Sequence, residues 1–361
     1  MPAKKTAPKN KNTKKKKKRA LVTGVTGQDG SYLAEYLIDL GYEVWGLMRR
    51  TSLEPMIRIE KLVRPERRLR IVYGNLRDGA SIRQALEESQ PDEIYNLAAQ
   101  SDVGISFKCP DETMDINYHG LGRLIHEAIK VNPKVKIYQA STSEMFGRTN
   151  PPQNENSVFA PVSPYGEAKL LAHEDYVKGY REKKGLFICS GILFNHESPR
   201  RGEHFVTRKI SISLAKVKLG IQESFALGNM DAKRDWGFAG DYVKAMHKML
   251  QQKTPDDYVI STGVSHTVRE FVEEAAKVLD MPISWSGKGF DEVGKTKDGK
   301  VVVRIAKEYY RPTEVDYLLG DSRKAAKKLG WKPEVSFKQL VRMMVTADYE
   351  RLKKMKDAGL L

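Results

Sequence analysis

"ALVTGVTGQDGSYLAEYLIDLGYEVWGLMRR", residues 20–50, carries the chain from one strand through a helix into the next. "ALVTG" has the apolar, β-branched character of a buried strand. Gly24, Gly27 and Gly30 follow at G-x-x-G-x-x-G spacing, and Leu33, Tyr36, Leu37 and Leu40 then recur with the helical period until Gly41 stops it. "EVWGLM" reads as a second strand. Glycines at a strand-to-helix junction permit the tight turn and let backbone N–H groups approach a pyrophosphate at the positive end of the helix. Alone, such a turn is a weak signal; after a strand and before a helix it points to a dinucleotide. The second strand ends at Arg49 and Arg50, where an NAD-preferring site would place an acid on the ribose 2′-hydroxyl. Two guanidiniums suit a 2′-phosphate instead, so NADP is the expected cofactor; the plainer reading is a surface arginine pair at a strand end.

The alternation continues outward from this unit. "RIVYG", "EIYNLA", "VKIYQAS" and "LFICSGILF" read as strands, and "ASIRQALEES", residues 113–131 and "SPYGEAKLLAHEDYVKGYREK" as helices between them. Strands alternating with helices imply a parallel sheet covered on both faces, so the expected class is α/β, a Rossmann-type doubly wound parallel sheet. After Asn195 the pattern loosens into a smaller mixed α/β lobe. There, Thr267 with Glu270 and Ser336 with Gln339 have capping-box spacing. The glycine- and lysine-rich residues 287–300 read as a mobile loop. The expected division is a disordered tail at 1–18, a cofactor domain at 19–195 completed by segments returning from about 235–262, and a substrate lobe over 196–361. A cleft between the two lobes follows from that arrangement.

Composition narrows the classes. The chain has 361 residues, 40% apolar and 30% charged, enough for a sizeable core, and no run approaches the roughly 20 apolar residues of a membrane span. Cys109 and Cys189 are the only cysteines and form no C-x-x-C, so neither a disulfide framework nor a metal site is expected, and a cytoplasmic setting fits. Of the net charge of +16, residues 1–19 supply nine lysines and one arginine; removing those ten leaves +6 for the rest. This tail lacks the apolar core of a secretory signal and is too polar to pack. A solvated extension is the first reading and a nuclear-import or nucleic-acid patch the second.

Two further stretches carry chemistry. "ASTSEMFG", residues 140–147, leaves a buried strand through Ser141, Thr142 and Ser143 and reaches a carboxylate, Glu144. "SPYGEAK" sets Tyr165 and Lys169 four residues apart on one helix face, with Ser163 and Pro164 suited to the N-cap and first helical positions. Ionising a tyrosine of ordinary pKa costs roughly 4 kcal/mol at neutral pH. A nearby ammonium lowers that pKa by about 1 to 3 units and makes Tyr165 a workable base for a sugar hydroxyl. Taken singly, the tyrosine and lysine read as a surface helix pair, and Glu144 as a solvated loop carboxylate. Trp236 and Trp331 read as packing residues.

The glycine turn, the strand-end hydroxyl and Y-x-x-x-K together resemble the extended short-chain dehydrogenase/reductase family, which acts on nucleotide sugars. The longer blocks "STSEMFG", "SPYGEAK", "GILFNHESPRRGEHFVTRKI", "LGNMDAKRDWG" and "YYRPTEVDYLLGD" resemble its GDP-mannose 4,6-dehydratase branch, from residue 19 to about 345. The resemblance implies a lyase that turns GDP-mannose into GDP-4-dehydro-6-deoxymannose and water, the entry to GDP-fucose and related 6-deoxyhexoses. Its steps would be C4 oxidation, dehydration across C5 and C6, and hydride return to C6 from tightly bound NADP. A homotetramer or homodimer is implied as well. Thr142, Glu144, Tyr165 and Lys169 fall at the catalytic positions. Gly24, Thr26, Gly27, Gln28, Asp29, Gly30, Arg49, Asn75, Leu76, Leu97, Ala98, Ala99, Gln100 and Ser101 fall at cofactor positions, with Lys169, His196 and Arg201. Ser143, Glu144, Tyr165, Asn195, Lys209, Arg234, Arg311 and Glu314 fall where the GDP-sugar is held. His196 also fits a plain buried histidine. Three positions depart from the pattern: Asn75 for aspartate, and Asp102 and Phe238 for histidines.

A sugar epimerase or reductase on the same scaffold is the nearest alternative, but such enzymes need no carboxylate beyond the shared hydroxyl. A Rossmann-fold binding protein using its lysine tail on nucleic acid is the other, and the intact catalytic set argues against it.

Overall fold

The computed structural model describes residues 17–52, 55–63, 68–310, 315 and 317–361. Strands β1 (Arg19–Thr23), β2 (Glu43–Met48), β3 (Leu69–Tyr73), β4 (Glu93–Asn96), β5 (Lys136–Thr142) and β6 (Ile188–Leu193) join a later strand, Asp257–Ile260, in one seven-stranded sheet. Its order is β3-β2-β1-β4-β5-β6 and then Asp257–Ile260, and every pairing is parallel. The order reverses between β1 and β4, and the resulting crevice beyond their carboxyl ends is where such sheets bind ligands.

Both faces are covered, which is why β1, β2, β4 and β6 are buried almost throughout. On one face, helix α1 (Gln28–Asp39) buries Leu33, Ala34 and Leu37 against Met246 and Met249 of the Ala239–Leu250 helix. Each buried leucine contributes about 1.5–3 kcal/mol relative to exposure. On the other face, Ile82 and Leu86 meet Leu121, Leu124 and Ile125.

The second lobe has its own core. Ile210, Leu214, Phe271, Val272, Leu340 and Met344 pack three helices onto Val302 and Val303 of a four-stranded mixed sheet. Both capping boxes form, at Thr267 with Glu270 and at Ser336 with Gln339. Trp331, whose Nε1 donates to the Asp241 carbonyl at 2.8 Å, is a packing residue, and Trp236 packs on Phe271 while also lining a cavity that runs into this lobe. The cysteines are unpaired, with Cys189 buried and Cys109 exposed.

Two expectations change. Residues 287–300 are not a mobile loop: Val293–Lys295 is a strand pairing antiparallel with Ser284–Ser286 and Val301–Ile305. Its glycines make turns of this meander, with Gly287, Gly289 and Gly299 at φ +88°, +60° and +83°. The tail also ends earlier than Lys18, whose Nζ donates to Glu93 Oε1 at 3.0 Å and whose carbonyl accepts from the Glu43 N–H at 2.9 Å. Residues 1–16 of that tail lie outside the described residues.

Candidate active site

At the crevice, Gly24 has φ +65°, and a Cβ there would lie 2.8 Å from the Ala98 nitrogen. A Cβ on Gly30 would lie 2.3 Å from the Gly24 carbonyl oxygen, so the turn closes only without side chains. Gly27 is the N-cap of α1, and no side chain caps that helix end. Its first N–H groups therefore face the crevice as an anion site. Thr23 Oγ1 accepts from Leu97 and Ala98 N–H at 3.1 and 3.0 Å and donates to Asn96 Oδ1 at 2.7 Å. Asn117 grips both backbone groups of Gln100, accepting from its N–H at 3.0 Å and donating to its carbonyl at 2.8 Å. Thr23, Asn96 and Asn117 were not singled out in the sequence, because their partners are distant in the chain.

One cavity of about 1160 Å³ runs from this turn into the second lobe. Gly24, Thr26, Gly27, Gln28, Asp29, Gly30, Arg49, Asn75, Leu76 and Leu97 to Ser101 line it on the crevice side. Thr142, Ser143, Glu144, Tyr165 and Lys169 lie along it, and Asn195, His196, Arg201, Lys209 and Arg234 line it farther on. Arg50 is exposed beside the lining Arg49. Arg311 and Glu314 fall outside the described residues; Tyr309 and Tyr310, just before them, line the cavity.

The reactive groups are placed by two short elements. β5 is buried up to Thr142, whose Oγ1 accepts from the Glu144 N–H at 3.2 Å and caps the single turn Ser143–Met145. That cap holds Glu144 in the interior, 7% exposed. Ser163 caps the Pro164–Leu171 helix, accepting from the Gly166 N–H at 3.1 Å. A Cβ on Gly166 would lie 2.8 Å from the Glu144 carbonyl oxygen, so the helix start and the Glu144 turn touch backbone to backbone. The Thr142 hydroxyl also lies close enough to the Tyr165 hydroxyl to pull its pKa down.

The electrostatics differ from the sequence expectation. Burial pushes Tyr165 up to about 12; the Thr142 hydrogen bond opposes this and the Glu144 charge adds to it. Burial likewise pushes Lys169 down to about 8. The Lys169 ammonium donates to the Ala140 carbonyl at 2.8 Å and stands 5.9 Å from the centre of the Tyr165 ring. Desolvation therefore dominates the phenol, and its hydroxyl is not ionised by the protein's own groups.

His196 Nε2 and Asp29 Oδ2 are 2.7 Å apart, and His196 stacks on Tyr242 at 4.6 Å. Burial is the largest single influence on each and opposes its charge, but the partner's charge and the hydrogen bonds together outweigh it, so the histidine pKa is raised and the Asp29 pKa lowered. Gln28 ties this pair down, donating to Asp29 Oδ1 and the His196 carbonyl at 3.0 Å each. Buried Glu197, absent from the sequence reading, accepts from Thr207 Oγ1 at 2.6 Å and lies 3.1 Å from Arg201 Nε. Asn195 Oδ1 is buried without a hydrogen bond among the described residues, and Arg201 Nε has Glu197 beside it without an aligned hydrogen bond. The Lys209 ammonium stands 3.3 Å from the Tyr309 ring centre, and buried Arg234 donates to the Lys233 carbonyl at 2.9 Å.

The three departures separate. Asn75 Oδ1 accepts from the Arg77 N–H at 3.1 Å. Asp102 caps the Val103–Lys108 helix and lies 3.4 Å from His204 on the opposite loop, both of them lining the cavity. Phe238 packs on Tyr32 at 5.5 Å, and the lining does not include it.

A family model described as GDP-mannose 4,6 dehydratase matches residues 21–344. The GDP-mannose 4,6 dehydratase of Cricetulus griseus is 52% identical over 350 residues, 94% of this chain and 93% of the relative. The GDP-mannose 4,6 dehydratase of Homo sapiens is 52% identical over 345 residues, 92% of each chain, and GDP-mannose 4,6 dehydratase 1 of Arabidopsis thaliana is 50% identical over 358, 96% of this chain and 94% of the relative. Among solved structures, the UDP-glucose 4-epimerase of Thermotoga maritima with UDP-glucose superposes at a TM-score of 0.76, 24% identical, over 93% of this chain and 99% of that one. The structure of RMD from Pseudomonas aeruginosa complexed with NADPH gives a TM-score of 0.73 at 22% identity, over 92% and 99%. At those identities the structures speak for the fold.

Proposed function

The chain belongs to the GDP-mannose 4,6-dehydratase family, and we propose that its cleft carries out that reaction with the residues placed there. GDP-mannose is converted to GDP-4-dehydro-6-deoxymannose and water. The turn at Gly24 to Gly30, the uncapped start of α1 and Arg49 in the cavity wall suit the pyrophosphate and 2′-phosphate of NADP. NADP held there supplies two-electron redox chemistry, and the same electron pair is taken and given back within one turnover.

The chain's own groups handle the protons. Tyr165, beside the Thr142 hydroxyl, takes the proton of the sugar C4 hydroxyl, and Lys169, 5.9 Å from its ring centre, is the cation that favours the phenolate. Oxidation at C4 acidifies the C5 proton. Glu144 takes it and passes it to the C6 hydroxyl, which leaves as water. The proton that Tyr165 took from the C4 hydroxyl balances the one C5 regains when the electron pair is given back at C6. The carboxylate's part is worth roughly 10² to 10⁴ in rate. Lys209 and Arg234, with Arg311 and Glu314, hold the GDP moiety. We further propose the division into a cofactor domain and a GDP-sugar lobe, assembly as a homotetramer or homodimer, and a cytoplasmic location. Among the described residues no helix is long and apolar enough to cross a membrane.

The observation that carries this reading is Glu144: a buried carboxylate held by the Thr142 cap and packed through its carbonyl on the Tyr165 helix. Oxidation and re-reduction alone require no such group. Glu144→Gln is expected to bind GDP-mannose normally while product, followed by the alkaline ultraviolet absorbance of the keto sugar, falls at least about 10²-fold. Product formation near the normal rate would remove Glu144 from the mechanism.

A further inference from the structure

Three successive carbonyls of the loop that carries Arg201 and His204 are each bound by an arginine from elsewhere in the fold. Arg208, on the Val206–Lys218 helix, donates through Nη1 to the carbonyls of Pro199 and Arg201, the latter at 2.8 Å. Arg58 donates through Nε to the carbonyl between them, that of Arg200, at 2.7 Å, and through Nη1 to the Thr26 carbonyl in the glycine turn at 3.3 Å. Arg208 is itself aimed from behind. Its Nε and Nη2 make a fork on Asp348 at 2.8 and 2.7 Å, and Ser211 Oγ donates to the same carboxylate at 2.6 Å. Asp348 belongs to the C-terminal helix Phe337–Asp357, is fully buried, and does not line the cavity; nor does Arg208.

A buried ion pair is a poor source of stability, because desolvating both charges offsets their attraction and an apolar pair of similar volume serves as well. A planar fork, however, fixes direction. With Nε and Nη2 committed to Asp348, Nη1 can point only at the loop.

We infer that Asp348 and Arg208 are a positioning pair through which the C-terminal helix holds the Pro199–Phe205 loop, and with it Arg201 and His204, against the cavity. The inference rests on the proposed reading of Arg201 as a cofactor-side residue. The pair acts on binding and not on the chemical step. Slackening it lets the loop drift by a fraction of an ångström, and displacements of that order weaken site geometry strongly.

The test compares Asp348→Asn with the apolar pair Arg208→Met/Asp348→Leu in the full chain, measuring NADP Kd, KM for GDP-mannose, kcat and Tm. Asp348→Asn is expected to raise Kd and KM about tenfold with kcat within about twofold. The apolar pair is expected to keep Tm within a few degrees of wild type and still show the binding loss, which a purely structural role would not produce. Recovery of both Tm and binding in the apolar pair, or unchanged Kd and KM in Asp348→Asn, overturns the positioning role. Arg201→Ala, run alongside, is expected to weaken NADP at least as much. An unchanged Kd in that variant would refute the assignment of Arg201, a failure separate from that of the pair.

Discussion

Lys169 and Tyr165 are shifted in opposite directions by one cause, burial, which takes the ammonium down to about 8 and the phenol up to about 12. The sequence spacing placed them on one helix face, and that held. What the spacing missed was the partner of the ammonium, the Ala140 carbonyl on β5, and the size of the desolvation that any phenolate must overcome. A cation within about 4–6 Å favours the ionised phenol, so removing it raises the pH at which Tyr165 can act as a base. Lys169→Met is therefore expected to move the rising limb of the kcat–pH profile upward by about a unit or more, each unit being about 1.36 kcal/mol. A limb that stays in place while the plateau falls would mean that Lys169 serves only in binding.

Elements put these residues together, and they differ in how much of themselves they show in sequence. The Ser163 cap with Pro164, and the capping boxes at Thr267 and Ser336, were legible because a cap is satisfied within three residues of itself. The 287–300 segment was not, since its strand is defined by partners across a sheet and its glycines look alike in a turn and in a loose loop. Gly166 is the most telling case. In sequence it is one more residue of "SPYGEAK", whereas in the fold it is the point where the Tyr165 helix meets the Glu144 carbonyl. Gly166→Ala inserts a methyl at 2.8 Å from that oxygen, so helix and turn must separate. The expected result is a loss of about 1–3 kcal/mol in Tm-derived stability and a fall in kcat larger than the rise in KM. Unchanged kcat would show that the Glu144 turn relaxes without cost to its aim.

At the scale of the whole molecule, the cleft exists because a parallel sheet reverses its strand order between β1 and β4 and a second lobe stands over the gap. Arg49 lines that cleft at the end of β2, and a guanidinium there gains a charge-assisted pair only with a 2′-phosphate. NADP is expected to bind at least about tenfold more tightly than NAD in fluorescence titration, and Arg49→Ala to erase most of the difference. Equal affinities in the wild type would leave Arg49 as an exposed strand-end charge. The sequence by itself determined the class of sheet, the glycine turn, the Tyr165–Lys169 pair on one helix face and the family, because these rest on short-range spacing and on residue types whose chemistry is local. Only the tertiary structure decided that burial governs the Tyr165 and Lys169 protons, that Asp102 faces His204 while Phe238 packs half-buried against the second core, and that the C-terminal helix reaches the Pro199–Phe205 loop through Arg208. Desolvation and long-range hydrogen bonds belong to a packed interior, and no spacing along the chain encodes which distant group completes it.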